Sequence, residues 1–142
     1  MRSSFLIRKA VIPEDYLDIF ELWETAGSGI QLSSSDSINE ITKKQFRDPE
    51  LFLVAESNNR IVGAVLGGFD GRRGIIYHLA VREEYRERGL GEELMVELER
   101  RWKNLGCSRS YLLITPENLK ARQFYEKRNW EKQDLLVMAK DL

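Results

Sequence analysis

The chain has 142 residues, 42% hydrophobic and 32% charged, a balance that fits one globular domain over residues 1–142 and excludes a disordered or fibrous chain. Its 22 Lys+Arg and 23 Asp+Glu leave a formal net charge of -1, against the clustered positive charge that grips a nucleic-acid backbone. No apolar run reaches the roughly 20 residues that cross a bilayer, no secretory leader opens the chain, and one Cys with one His makes neither disulfide nor zinc site; a cytoplasmic protein without metal, membrane or nucleic-acid partners is expected.

Phe5 to Ala10 reads as a first strand. Pro13 suits a helix start, and Tyr16, Ile19, Phe20 and Trp23 recur at three- and four-residue steps as one buried face. Ala26–Ser37, with two glycines and five serines, breaks that rhythm and reads as a recognition loop. Asp36 or Ser37 caps a second helix running to about Arg47. LFLVAES and RIVGAVLGGF, joined at Asn58-Asn59, read as a hairpin, because asparagine tolerates left-handed backbone. Asp70-Gly71 turns the chain into a third run at 75–81. A helix from about Gly89 to Leu105 follows, with Leu90, Leu94, Leu98, Trp102 and Leu105 on its sheet side. Then come strand SYLLI, a helix from about Asn118 to Arg128, and a final strand within Leu135–Lys140. The expected fold class is α/β (an α+β mixed sheet), an antiparallel N-terminal meander joined to parallel central strands and flanked by about four helices.

Charge divides along the chain. Residues 1–56 carry ten acidic and six basic side chains, and residues 57–142 carry thirteen and sixteen. The plain reading is solvated helix faces. The functional reading is an anionic ligand on the second half and a cationic one near the first, with Glu21, Glu24 and Asp36 as candidate contacts.

The segment Tyr77–Met95, YHLAVREEYRERGLGEELM, carries the chemistry. A strand ends at Val81, a charged turn follows, and Arg86-Glu87-Arg88-Gly89-Leu90-Gly91 opens a helix. The first N–H groups of a helix lack internal partners and sit at the positive end of its dipole, so a glycine-lined start suits a pyrophosphate. Arg86, Gly89 and Gly91, preceded by Leu79-Ala80-Val81, resemble the acyl-CoA-binding pattern Arg/Gln-x-x-Gly-x-Gly/Ala of the GNAT superfamily of N-acetyltransferases. The phrase NLKARQFYEKRNW is similar to the superfamily's later motif through Asn118, Ala121, Phe124 and Tyr125. Asn129 stands there in place of glycine and Trp130 in place of phenylalanine.

The resemblance, to small single-domain bacterial members, covers nearly the whole chain and implies an acetyl-CoA-dependent N-acetyltransferase acting by direct attack of a primary amine. The backbone of Arg88, Gly89, Leu90, Gly91 and Glu92 would hold the diphosphate. The strand ending at Val81 would diverge from the one near Leu112 and admit the pantetheine arm, bonded by Leu79 and Val81, with an amide near Val81 on the acyl oxygen. Tyr125 would be the general acid for the leaving thiolate, and Asn118 would bond pantetheine or cap its helix. The base is open between a carboxylate, a water chain and His78, which strand alternation groups with Ile76 and Ala80, opposite Tyr77, Leu79 and Val81. Lys120, Arg122 and Lys127 are candidates for the 3′-phosphate, and Cys107 reads as a small buried hydrophobe. The acceptor is an amine, small-molecule or protein-borne, and a homodimer through an edge or terminal strand fits the pattern. A non-catalytic acyl-CoA-binding sensor is the alternative function; the retained Tyr125 counts against it.

Overall fold

The structure, a computed structural model, describes residues 5–27 and 30–142. Ser28 and Gly29 of the serine-rich loop, and the first four residues, lie outside them. Five strands form one sheet in the order β1 (Leu6–Lys9), β2 (Phe52–Ser57), β3 (Arg60–Phe69), β4 (Gly74–Val81) and β5 (Ser110–Leu112). The first four are antiparallel neighbours. β5 lies parallel to β4, reached through the crossover helix α3 (Leu90–Asn104). Helices α1 (Tyr16–Thr25) and α2 (Ile38–Arg47) precede β2, and α4 (Leu119–Glu126) follows β5.

Each face of the sheet buries its own core. Leu90, Leu94, Met95, Leu98 and Trp102 of α3 pack with Tyr125 of α4 on Leu53, Val65 and Ile76. On the opposite face Ile19, Leu22 and Trp23 of α1 and Ile41 of α2 pack on Phe52, Val54, Ala64 and Ala80. The two cores are held differently. Trp102 Nε1 donates to the Gly68 carbonyl at 3.1 Å and is one of few polar ties under α3. Under α1 the Arg82 guanidinium, only 4% exposed, reaches Asp18 at 2.8 Å and Glu21 at 3.1 Å. Its Nε donates to the Ile61 carbonyl at 2.8 Å, and Asp18 also accepts from the Ile61 amide at 2.7 Å. A desolvated arginine with all three nitrogens bonded is costly to leave without its partners.

Most local expectations hold with small shifts. Asn58 and Asn59 adopt φ of 52° and 60°, the left-handed pair that a two-residue hairpin turn requires. Asn129 takes φ of 69° where glycine was replaced. Ser37 caps α2, its Oγ accepting from the Glu40 amide at 3.3 Å. The first helix starts at Tyr16, since Pro13–Asp15 close into a turn instead. Leu105 ends α3 and is 45% exposed, off its buried stripe.

The expected last strand is not formed. Residues 130–142 pair with nothing in the sheet, and Leu135, Leu136, Val137 and Met138 stand exposed across an open groove from β5. Four successive apolar residues offer no alternation, so no single face commits them to the sheet.

No described helix is long and apolar enough to cross a membrane.

Candidate active site

The turn between β4 and α3 is shaped by its own side chains. Glu83–Tyr85 forms one tight helical turn, and Arg86 folds back so that its Nε donates to the Val81 carbonyl at 3.0 Å. The Arg88 guanidinium lies over the Tyr85 ring, 5.0 Å from its centroid. These arginines shape the turn with their side chains. Gly89 then sits before the helix with φ of +80°, a conformation costly for any residue with a Cβ, and supplies no side-chain cap. The amides of Leu90, Gly91 and Glu92 consequently point outward with no hydrogen-bond partner among the described residues.

The start of α4 closes on this helix end. A Cβ at Gly91 would stand 3.3 Å from Phe124 Cζ, tighter than an ordinary contact, so glycine is what lets the ring approach. Arg128 stacks 3.7 Å from the Phe124 centroid, donates to the Phe124 carbonyl at 2.7 Å and meets Glu92 at 3.3 Å, while its Nε is buried without a partner among the described residues. Sequence reading passed over Arg128 for Lys120, Arg122 and Lys127. Its spacing of four from Phe124 was the available signal. Arg122 is paired with Glu126 at 3.3 Å along the helix.

Between these helices the sheet opens. β5 pairs with β4 only through Gly74↔Ser110, Ile75↔Tyr111 and Ile76↔Leu112, whereas β4 stays paired with β3 as far as Val81. Tyr77–Val81 therefore present one bare edge. The Arg82 amide bonds the Val62 carbonyl on β3, so alternation turns the main-chain groups of Val81 and Leu79 toward the gap. Val81 keeps its N–H for that side, since Arg86 holds its carbonyl.

Tyr125 lies on the α3 face, 8% exposed, with Phe124 and Trp130 edge-on at 5.1 and 5.6 Å. Burial pushes its phenol well above the usual tyrosine range, and the charge of Arg128 only partly offsets this. The hydroxyl is a donor at neutral pH. Asn118 takes the capping role, its Oδ1 accepting from the Ala121 amide at 3.1 Å, and Ala121 packs inward beside Phe124. Cys107 is buried, its thiol on the Arg109 carbonyl at 3.3 Å.

The grouping of Ile76 with His78 requires a correction. The register of β4 against β3 slips between Leu66 and Gly67, so Leu66 faces His78 while Gly67 faces Ile76. Tyr77 is the extra residue of a bulge, and alternation breaks there. Ile76 joins Leu79 and Val81 on the α3 face, whereas His78 turns with Ala80 toward α1. There its Nε2 meets Asp36 Oδ1 at 2.8 Å, and its ring lies edge-on to Trp23 at 4.9 Å. The other Asp36 oxygen accepts from the Ser33 amide at 3.1 Å, and Tyr16 Oη donates to the Asp36 carbonyl at 2.8 Å. Burial, then the charges of Asp36 and Glu24, raises the Tyr16 phenol. Trp23 Nε1 is buried without a hydrogen-bond partner among the described residues.

The acidic trio expected for an acceptor is thus dispersed. Asp36 is 5% exposed and engaged by His78, Glu21 is engaged by Arg82, and Glu24 remains on the surface.

Comparison with known proteins identifies a family and a shared fold. The Acetyltransferase (GNAT) family model matches residues 15–130. An acetyltransferase of Yersinia pestis is 37% identical over 129 residues, which cover 91% of this chain and 90% of the relative. Among solved structures, Ard1 from Thermoplasma volcanium superposes with a TM-score of 0.79 at 21% identity, covering 96% of this chain and 86% of that one. AAC(6')-Iy in complex with the bisubstrate analogue CoA-S-monomethyl-acetylneamine gives 0.77 at 15% identity and covers 99% of both chains. A sheet that opens beside an uncapped helix, a family match over most of the sequence and a relative at this identity converge: the chain belongs to the GNAT family of acetyltransferases.

Proposed function

We propose that this acetyltransferase moves an acetyl group from acetyl-CoA to a primary amine by direct attack, the amine borne by a small molecule or a protein. The observation that carries the reading is the conjunction of free amides at Leu90–Glu92 with the bare β4 edge beyond Ile76. The residues fit the donor. An anion at the start of α3 meets unpaired N–H groups at the positive end of the dipole, and a Cβ on residue 91 would crowd the approach of Phe124.

When bound, acetyl-CoA supplies an activated acyl carbon. Arg88, Gly89, Leu90, Gly91 and Glu92 hold the diphosphate through their backbone, while Leu79 and Val81 bond the extended arm as an added strand would. Ala80 keeps the β4 edge regular between them, and Asn118, Ala121 and Phe124 set the facing wall. Arg86 serves by holding the turn. The Val81 amide stabilises charge on the acyl oxygen. Tyr125, kept protonated by burial, donates to the departing sulfur. His78 stands where β4 has left β5, on the α1 face, and takes the amine proton.

Calorimetry with acetyl-CoA, followed by thiol release across a panel of primary amines, tests the reading. Saturable binding and amine-stimulated release are expected. Binding with no stimulation by any amine would support the sensor reading, and no heat at millimolar acetyl-CoA would remove both.

A further inference from the structure

Asp36 lies 42 residues before His78 in the chain, yet the two side chains meet at 2.8 Å and are 7% and 13% exposed. The contact joins the α1–α2 connection to the bulged strand beside the gap. We infer that Asp36 is a positioning residue for acetyl transfer, fixing the His78 ring so that its Nδ1 takes the proton of the incoming amine. This rests on the acetyl-CoA reading of the gap.

Three observations carry it. The Asp36 carboxylate accepts on both oxygens, from the Ser33 amide and from His78, so Nε2 carries a ring hydrogen toward it and Nδ1 is the ring nitrogen left for proton exchange. The short helical turn Ser34–Asp36, closed by a reciprocal bond with Ser33, prevents the carboxylate from swinging away. Trp23 holds the ring from its edge, and regular alternation from Ala80 keeps His78 on this face. The other titratable and charged groups nearby are Tyr16 and Glu24 of α1, and Tyr77 with Lys44 of α2 beside it.

The proposed step balances. An ammonium N–H passes its proton to Nδ1, and the freed lone pair forms the C–N bond to the acetyl carbon. The C–S bond breaks, and the sulfur receives the Tyr125 proton. The second amine proton restores the phenol through solvent, and His78 releases its proton to solvent.

Methylamine, small enough to need no recognition pocket, serves as the probe, with thiol release from saturating acetyl-CoA as the readout. Asp36→Asn keeps an oxygen for Ser33 and removes the charge. It is expected to lower kcat about tenfold to hundredfold with acetyl-CoA affinity unchanged. In a His78→Gln background the same substitution should cost nothing further, because the two act as a unit. Equal losses in both backgrounds would make Asp36 a structural cap and overturn the inference, as would no loss or no methylamine-dependent release by the wild type. Nitrogen-15 spectra of the unmodified protein give a readout free of folding effects. A hydrogen on Nε2 and none on Nδ1 is expected, and the reverse tautomer overturns the proposal. Wild type that binds no acetyl-CoA by calorimetry would instead refute the donor reading itself.

Discussion

The two faces of the sheet solve opposite problems. On the α3–α4 face the groups offered to a ligand are main-chain amides, framed by apolar packing, and the ion pairs of α3 sit at its rim, as where Glu97 bridges Arg100 and Arg101. On the α1–α2 face the polar groups are side chains drawn inward, Arg82 with Asp18 and Glu21, and His78 with Asp36. Backbone contacts tolerate change in sequence. Side-chain contacts do not.

The sharpest way to break the contrast is at Arg82. Arg82→Met should cost about 3 kcal/mol in urea unfolding, because Asp18, Glu21 and the Ile61 carbonyl lose a buried partner. A loss under 1 kcal/mol would mean the inward charges of this face carry no stability. Next is Tyr125→Phe, expected to lower kcat on the order of a hundredfold while calorimetric acetyl-CoA affinity holds; a parallel loss of affinity would make the tyrosine a packing residue. Gly91→Val should weaken acetyl-CoA about tenfold, roughly 1.4 kcal/mol, by pushing on Phe124. Unaltered affinity would show that the approach of α4 is irrelevant to the donor.

The smallest effect concerns the rim of α3. Arg100, and against partial burial Arg101, hold the Glu97 carboxyl down to about 2. A carboxyl lowered by folding stabilises the native state above its ordinary range near 4.5 and loses that contribution as pH falls toward about 2. Acid unfolding of Glu97→Gln should therefore be less steep across that window. An identical acid limb would place the bridge among the surface pairs that contribute nothing.

How much of this was legible follows the same division. Gly89, Gly91, Asn118 and the Asn58-Asn59 turn are local chemistry, since a positive φ or a helix cap is decided within a few residues. The Asn129 substitution was readable for the same reason. The direction of Ile76 was not, because the bulge at Tyr77 exists only against β3. Nor was the pairing of His78 with Asp36, for which no spacing rule reaches across 42 residues. The apolar run at 135–138 misled because strand propensity measures fit to a neighbour, and here β5 is three residues long and separated from it by a groove.

The bond from Arg86 to the Val81 carbonyl has a consequence for the donor's length. The Arg86 side chain bridges the turn to the Val81 carbonyl, tying the end of β4 to the approach of α3. On the acetyl-CoA reading proposed above, this spacing would act as a ruler. A thioester on a truncated carrier would satisfy one end or the other but never both, and discrimination by reach would come without any contact to the adenine.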